Sequence, residues 1–402
     1  MTFNTSINFF YNDLPIIKIR IGDKNDKYTD SDYLNNKERV ALLEIKNKID
    51  LENIRDWDKA KKNSNDFELI HLPSRKLKQE SIAAYEPLSR SYFKMWEILH
   101  NYGFFTQEQQ KEPINIVNIA EGPGGFIEAL VNYRYKYFRQ IDNINAITLK
   151  SLTKEIPGWD KAQSFLRENP NIKINYGEDG TGNIYKLENI LNFSKEIKNK
   201  ADFITADGGF DFSSDFNEQE KQSLHIIFCE IVLAITCQNL GGTFICKFFD
   251  LYSKTSIKLI YLLKCLYNEV IIDKPVTSRP ANSEKYIICK DFLGIDSNYL
   301  SKLHIVIKSW DILEANNNTI LDIFNGRDSV PDEFIEKILE FGTQHFNLQK
   351  INIDKTLDLI HNKPNLTKLN NLLDHQVRCA CKWCEKYNVD LNYHSIFLNK
   401  VK

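Results

Sequence analysis

The sequence predicts an α/β fold with a doubly wound, mostly parallel sheet that includes one antiparallel strand. Short apolar segments alternate with helical segments from about residue 112 to residue 292, which is typical of parallel strands joined by crossover helices. The last two apolar segments, EVIIDK (269–274) and EKYIICK (284–290), are separated by only nine residues. That linker is too short for a helical crossover, so we expect this pair to be antiparallel.

The remaining predicted elements follow from apolar periodicity. Five further strands are predicted before that pair, at INIVNIA (114–120), NAITLK (145–150), NIKINY (171–176), ADFITAD (201–207) and GTFICKFF (242–249). Helices are predicted after the first strand and at 217–240 and 254–268. Outside this region we predict a strand at 15–22 and helices at 36–63, 81–102 (with a break near Pro87), 332–346 and 366–388.

The chain is accordingly divided into three parts. We predict an N-terminal extension at 1–74, an α/β domain at 75–295 and a mostly helical C-terminal extension at 296–402. The length of 402 residues fits one large domain with flanks.

Composition argues against a uniformly basic nucleic-acid-binding protein, a disulfide-rich secreted protein and a membrane-spanning protein. With 52 Lys and Arg against 54 Asp and Glu, the net charge is −2, so any anionic ligand must meet a local basic patch. The eight cysteines fall mostly in apolar runs and do not form a disulfide framework. No secretory signal is recognisable, and Glu230 and Lys264 interrupt the two longest apolar runs. We therefore expect an intracellular, soluble protein with no membrane partner.

A glycine-rich loop follows the first central strand. It comprises Glu121, Gly122, Pro123, Gly124, Gly125 and Phe126. Glycines between a strand and a helix let a ligand approach the backbone and the helix N-terminus, but they also suit a tight turn without a ligand. A dinucleotide site is disfavoured because G-x-G-x-x-G is absent and residues 148–150 are Thr-Leu-Lys.

Four charged residues stand out around these strands. Asp207 ends the fourth strand, Lys247 lies near the end of the fifth, Glu284 begins the seventh, and Lys94 lies on the preceding amphipathic helix. Burial is expected to lower the pKa of Lys247. Taken singly, Asp207 also fits a turn or helix cap, and each lysine fits a solvated surface position.

The motifs taken together resemble a known family. The order GPGGF, ADGGF, GGTFICKFFDLY and KPVTSRPANSEKYIICKDF, preceded by SRSYFK, resembles the FtsJ-like (RrmJ-type) RNA 2′-O-methyltransferases, and among them the cap-specific mRNA (nucleoside-2′-O-)-methyltransferases. The resemblance covers about 75–292 and implies a Rossmann-like methyltransferase sheet.

The resemblance implies a Lys-Asp-Lys-Glu tetrad that maps onto Lys94, Asp207, Lys247 and Glu284. Lys247 is expected to accept the proton of a ribose 2′-hydroxyl, with Lys94 as a cationic neighbour and the carboxylates orienting both ammonium groups. The implied cofactor is S-adenosyl-L-methionine, and this chemistry requires no metal.

The resemblance also implies contacts for each ligand. Cofactor contacts are expected from Ser89, the loop from Glu121 to Phe126, Asp207 and Asp179 in YGEDGTGNI (176–184), although the last segment also fits a plain turn. RNA contacts are expected from Ser278, Arg279, Asn282, Asn217 and the basic cluster Arg75, Lys76 and Lys78. A solvated charged face is the alternative for that cluster.

One other group could bind a metal. His375, Cys379, Cys381 and Cys384 have spacings found among zinc ligands. A second pair of Cys or His residues at the usual zinc-ligand spacing is missing, and the segment has helical periodicity. We therefore favour a packed helix without metal.

The predicted function is S-adenosylmethionine-dependent 2′-O-methylation of the first transcribed nucleotide of capped mRNA, which forms cap 1. Expected partners are capped mRNA and, beyond it, other capping enzymes or the transcription machinery. Two alternatives stay open: 2′-O-methylation of rRNA or tRNA, and a non-catalytic RNA-binding scaffold of a capping complex.

Overall fold

A computed structural model describes residues 3–7, 11, 13–34, 36–72, 80–150, 158–197, 200–209, 218–325 and 330–398. Its strands are β1 (Phe3–Ile7), β2 (Arg20–Asp23), β3 (Asn115–Ile119), β4 (Asn143–Ile147), β5 (Ile172–Asn175), β6 (Ala201–Ala206), β7 (Gln238–Phe248), β8 (Tyr267–Lys274), β9 (Lys285–Phe292) and β10 (Asn318–Asp322). Its α-helices are α1 (Asn36–Asp50), α2 (Ile54–Ser64), α3 (Ser91–Asn101), α4 (Gly125–Phe138), α5 (Gln163–Glu168), α6 (Leu187–Glu196), α7 (Gln219–Cys237), α8 (Lys254–Leu266), α9 (Ser297–Glu314), α10 (Asp332–His361) and α11 (Leu366–Lys386).

Eight strands form the central sheet, in the order β1-β8-β9-β7-β6-β3-β4-β5. β3 pairs in parallel with both β4 and β6, and the strands beyond them, β5 and β7, continue in parallel. β9 is antiparallel to both β7 and β8. The predicted α/β fold and its antiparallel final pair are therefore confirmed. The strand order reverses at β3, and ligands of open α/β sheets bind beside such a reversal, at the carboxyl ends of the strands.

An unpredicted strand, β1, completes one edge of this sheet. It pairs antiparallel with β8, with Phe3 opposite Lys274, and so adds a second antiparallel strand to the predicted one. The five-residue segment FNTSI has too little alternation of apolar and polar residues to predict a strand. The open edge of the sheet, however, offers backbone hydrogen-bond partners to such a segment. The predicted boundaries at 74/75 and 295/296 stay a prediction, but β1 shows that the N-terminal part enters the main sheet.

Side-chain caps explain where several helices begin. The caps are Asn53 before α2, Ser253 before α8, Asp296 before α9 and Asn365 before α11, and each accepts a backbone N–H of the first turn. Because Asn53 starts a new helix, the single helix predicted over 36–63 is in fact the pair α1 and α2. The predicted helix at 81–102 was also too long, since α3 begins only at Ser91.

Apolar side chains cover both faces of the sheet. α7 and α8 pack on one face, where the residues from Ile231 to Ala234 are completely buried. α3 and α4 pack on the other face through side chains such as Phe93, Ile98 and Leu130. Burial on both sides explains why the strands have nearly continuous apolar sequences. Of the helices in the described ranges, none combines the length and apolar character needed to cross a bilayer.

A buried ion pair ties α4 to the residue that directly precedes β4. Arg134 is fully buried and donates to Asp142 from Nε at 2.7 Å and from a terminal nitrogen at 2.8 Å. Its other donors reach the carbonyls of Gln109 and Glu112, and Asp142 also accepts the backbone N–H of Ile114. One guanidinium thus donates to three residues, two in the segment before β3 and one directly before β4.

Replacing Arg134 with methionine is expected to lower the free energy of unfolding by about 3–5 kcal/mol, because it leaves the Asp142 carboxylate buried without its cation. Urea denaturation followed by circular dichroism measures this loss. The exposed Arg167 on α5 provides the matched control, since Arg167→Met should change stability by no more than about 0.5 kcal/mol. Equal stability of the two variants would contradict the prediction.

Candidate active site

Four charged side chains meet at the carboxyl ends of the central strands. Lys94 comes from α3, Asp207 directly follows β6, Lys247 is the penultimate residue of β7, and Glu284 directly precedes β9. They form two ion pairs: Lys94 Nζ lies 2.7 Å from Glu284 Oε1, and Lys247 Nζ lies 3.1 Å from Asp207 Oδ1. All four side chains are less than one-fifth exposed. The structure therefore brings together four residues that lie far apart in the sequence.

Tyr286 connects the two ion pairs. It stands opposite Lys247 in the β7–β9 register, and its hydroxyl donates to Glu284 Oε1 at 3.2 Å while lying 3.5 Å from Asp207 Oδ1. No signal in the sequence marks Tyr286, because an aromatic residue in an apolar strand is ordinary core composition. The cluster is thus a chain of charges and one hydroxyl rather than two separate pairs.

The pKa of Glu284 reflects this arrangement. Burial alone raises the pKa of its carboxyl, but the ammonium groups of Lys94, Lys247 and Lys274 outweigh burial and lower the pKa to about 2. Glu284 is therefore fully ionised at neutral pH.

The predicted pKa shift of Lys247 was wrong in sign. Burial does lower the pKa of this ammonium group, as expected, but the nearby carboxylates of Asp207, Glu284 and Glu230 outweigh burial and raise it above its usual value. Lys247 Nζ also donates to the Asp207 carbonyl at 2.7 Å. In the folded chain Lys247 is a cation at neutral pH.

Glu230 is a site residue that sequence reasoning missed. It is completely buried on α7, and its Oε1 accepts the backbone N–H of Gly208 at 2.8 Å. A Cβ at Gly208 would lie only 2.2 Å from this oxygen, so the segment directly after β6 requires glycine there. The available signal was a lone carboxylate within the apolar run of α7. Burial raises the pKa of Glu230 to about 8.

The glycine-rich loop lies beside this cluster, between β3 and α4. Gly124 has φ of +103°, a left-handed conformation that favours glycine. A Cβ at Gly125 would lie 2.2 Å from Ser91 Oγ and 2.3 Å from Ser89 Oγ, so the start of α3 packs directly on the loop. The first backbone N–H groups of α4 have no partner within the helix, as at any helix N-terminus.

The sequence matches the FtsJ-like methyltransferase family over residues 87–292. The chain belongs to the FtsJ-like methyltransferases. This family membership agrees with the mostly parallel α/β sheet of the chain.

Curated relatives lie among the cap-specific enzymes. The chain is 31% identical over 289 residues to the human cap-specific mRNA (nucleoside-2′-O-)-methyltransferase 1, covering 68% of this chain and 33% of that protein. The Dictyostelium discoideum methyltransferase 1 is 33% identical over 237 residues (56% and 30% coverage), and the Drosophila melanogaster methyltransferase 2 is 26% identical over 306 residues (74% and 42% coverage). The chain spans about a third of the length of the curated relatives it matches first.

The other predicted cofactor contacts of the FtsJ-like domain have partners of their own. The Glu121 carboxylate accepts the Thr205 hydroxyl and is buried, and the Phe126 ring is buried beside Tyr286. Asp179 Oδ1 accepts the backbone N–H of Thr181 at 2.9 Å, the Thr181 hydroxyl and the Asn189 amide. Asp179 thus stabilises a turn within its segment, and its contact with the cofactor stays a prediction.

The predicted RNA contacts of the domain fall into two groups. Ser278, Arg279 and Asn282 lie on the loop between β8 and β9, which we call the acceptor loop (residues 275–283), and Ser278 Oγ donates to Glu284 Oε1 at 3.0 Å. Asn217 and the basic cluster Arg75, Lys76 and Lys78 lie outside the described residues.

The candidate zinc ligands lie on α11. His375 Nε2 and Cys379 Sγ are 3.5 Å apart, whereas Cys384 is completely buried in the core. Within the part of the chain that the structure describes, no three His, Cys, Asp or Glu side chains are grouped for metal binding.

Proposed function

We propose that this chain transfers a methyl group from S-adenosylmethionine to the ribose 2′-hydroxyl of the first transcribed nucleotide of capped mRNA. The observation that carries the proposal is the pair of lysine–carboxylate contacts, Lys94 with Glu284 and Lys247 with Asp207, at the carboxyl edge of the sheet. Family membership supports methyl transfer, and the similarity to cap-specific enzymes supports the choice of RNA.

The glycine-rich loop fits the proposed cofactor. The close approach of Ser89 and Ser91 to Gly125 leaves no room for a side chain, so the loop presents backbone from Gly122 to Gly125, and Asp207 lies at the neighbouring strand end. S-adenosylmethionine, when bound, supplies a methyl group on a sulfonium centre. We assign Ser89, the residues from Glu121 to Phe126, Asp179 and Asp207 to its binding, with Glu121 and Phe126 shaping the loop from inside.

The tetrad residues have separate proposed roles. A ribose 2′-hydroxyl is a poor nucleophile at neutral pH, so transfer is helped by a group that accepts its proton. We assign this step to Lys247, held by the Asp207 carboxylate and carbonyl. Because its pKa is raised, Lys247 must lose its own proton before it acts. We assign Lys94 and Glu284 to the side of the site that faces the nucleotide receiving the methyl group. The proposed RNA contacts are Ser278, Asn282, Arg279, Asn217 and Arg75.

Labelled methyl transfer to three matched RNAs tests this function. Capped RNA is expected to accept methyl groups at least about tenfold faster than uncapped RNA of the same sequence, and capped RNA already methylated at the first 2′-hydroxyl is expected to accept none. Equal rates on capped and uncapped RNA would favour an rRNA or tRNA enzyme. Binding of capped RNA without transfer would indicate a scaffold.

A further inference from the structure

Buried groups hold the acceptor loop from several sides. Lys274 Nζ donates to Asn282 Oδ1 at 2.6 Å and to the carbonyl of Glu284 at 2.7 Å. Glu97, completely buried on α3, accepts the backbone N–H of Val276 at 2.9 Å. These two supports come from within the matched family region.

A further support, Glu68, comes from outside that region. Glu68 lies in a short 3₁₀ turn after α2, and its side chain is only 2% exposed. Its two carboxylate oxygens accept the Arg279 guanidinium side-on, from Nε at 3.1 Å and from a terminal nitrogen at 2.8 Å. Arg90 contacts the same carboxylate at 3.2 Å, and the Asn65 amide donates to it at 2.7 Å.

The two arginines belong to the two elements that build the site. Arg90 immediately precedes α3, beside Ser89 and one helical turn before Lys94. Arg279 lies on the acceptor loop, beside Ser278. One buried carboxylate therefore joins the element that carries Lys94 to the loop that leads into Glu284.

We infer that Glu68 is a positioning residue, which fixes the acceptor loop relative to α3 and orients Arg279 toward RNA phosphate. Two cations share one carboxylate, so the cluster keeps a net positive charge for a phosphate. Burial raises the pKa of Glu68, but Arg279 and Arg90 outweigh burial and lower the pKa to about 2, which keeps the carboxylate ionised throughout the working range of pH. The inference rests on the proposed function for the nature of the ligand.

Loss of Glu68 should affect RNA more than cofactor. Arg279 is held through its two contacts with Glu68, whereas Arg90 also reaches the carbonyls of Phe67, His71 and Thr277 at 3.5 Å. Without the carboxylate the acceptor loop loses this clamp, while the start of α3 keeps part of its support.

Glu68→Gln is the direct test. We expect its Kd for a capped RNA oligonucleotide, measured by fluorescence anisotropy, and its KM for the same RNA to rise at least about tenfold, which corresponds to about 1.4 kcal/mol. The Kd for S-adenosylhomocysteine, measured by calorimetry, is expected to stay within about twofold of wild type, and Glu68→Asp should recover part of the RNA affinity. Unchanged RNA affinity, or an equal loss of RNA and cofactor affinity, would overturn the inference.

Two further variants separate positioning from stability. Asp142→Asn breaks the other buried Arg–carboxylate pair, which makes no contact with the acceptor loop; it should lower the melting temperature without raising the RNA Kd. Arg279→Lys keeps the charge but cannot make the two-point contact, so it should reproduce the loss of RNA affinity even if Glu68→Gln does not fold. Wild-type affinity in Arg279→Lys would overturn the inference.

The binding measurement also separates this inference from the proposed function. If wild-type protein binds capped RNA but transfers no methyl group, the proposed activity fails while the comparison of RNA affinities still decides the role of Glu68.

Discussion

Lys247→Arg is expected to lower kcat/KM for methyl transfer to capped RNA by about 10²- to 10⁴-fold, the range that positioned proton transfer contributes. Arginine preserves the positive charge beside Asp207 but does not release a proton in a protein. If Lys247 acts as a base, arginine therefore cannot replace it. If Lys247 acts only as a fixed cation, arginine can. Lys247→Ala should be equally inactive.

The pH dependence of the wild-type enzyme supplies an independent check. Because Asp207, Glu284 and Glu230 raise the pKa of Lys247, only a small neutral fraction exists at neutral pH. That fraction grows about tenfold per pH unit below the pKa, so kcat/KM should rise about tenfold per pH unit, or about a hundredfold in all, between pH 6 and pH 8 and should not level off within this range. A flat profile together with an active Lys247→Arg variant would show that Lys247 acts only as a cation.

Glu284→Gln is expected to lower kcat/KM by at least about 10²-fold, since misplacing a catalytic group by about 1 Å has effects of this size. The change removes the ion pair with Lys94 at 2.7 Å and weakens the acceptor for Ser278 and Tyr286. It also removes one of the carboxylates that raise the pKa of Lys247. The residual activity should therefore level off at a lower pH than that of the wild type.

The residual pH profile distinguishes this electrostatic role from simple misfolding. A matched control is Glu269→Gln, which breaks the ion pair between Glu269 of β8 and Lys290 of β9 at 3.2 Å, at a more exposed position. The control should keep wild-type kcat/KM and the wild-type profile. A Glu284→Gln variant with reduced activity but an unshifted profile would contradict the coupling between Glu284 and Lys247.

The predictions from the sequence succeeded where a signal is local. The alternation of apolar strands and helices, and the nine-residue linker before β9, were sufficient for the sheet and its antiparallel pair. The short motifs around Lys94, Asp207, Lys247 and Glu284 pointed to side chains that the structure brings within hydrogen-bonding distance in pairs. β1 escaped prediction because a short edge strand is selected by its partner, β8, rather than by its own pattern.

Interactions between charged side chains could not be predicted from the sequence. The sequence correctly indicated burial of Lys247, but the sign of its pKa shift depends on Asp207, Glu284 and Glu230, which reach it from the end of β6, from the start of β9 and from α7. Lys46 of α1 likewise pairs with Asp250 after β7 at 2.9 Å, across 204 positions of sequence. No local pattern contains such contacts.

By itself, then, the sequence determined the α/β class, the antiparallel pairing of the last two central strands and the family whose motifs the chain carries, because hydrophobic periodicity and short motifs are properties of neighbouring residues. Only the tertiary structure decided that Lys247 is held as a cation, that Glu230 accepts the backbone N–H of Gly208 after β6, and that Glu68 binds Arg279 at two points. The physical reason is that electrostatic and hydrogen-bond energies depend on distances in space. Glu68 and Arg279 are 211 residues apart in the chain, yet their side chains meet at 2.8 Å.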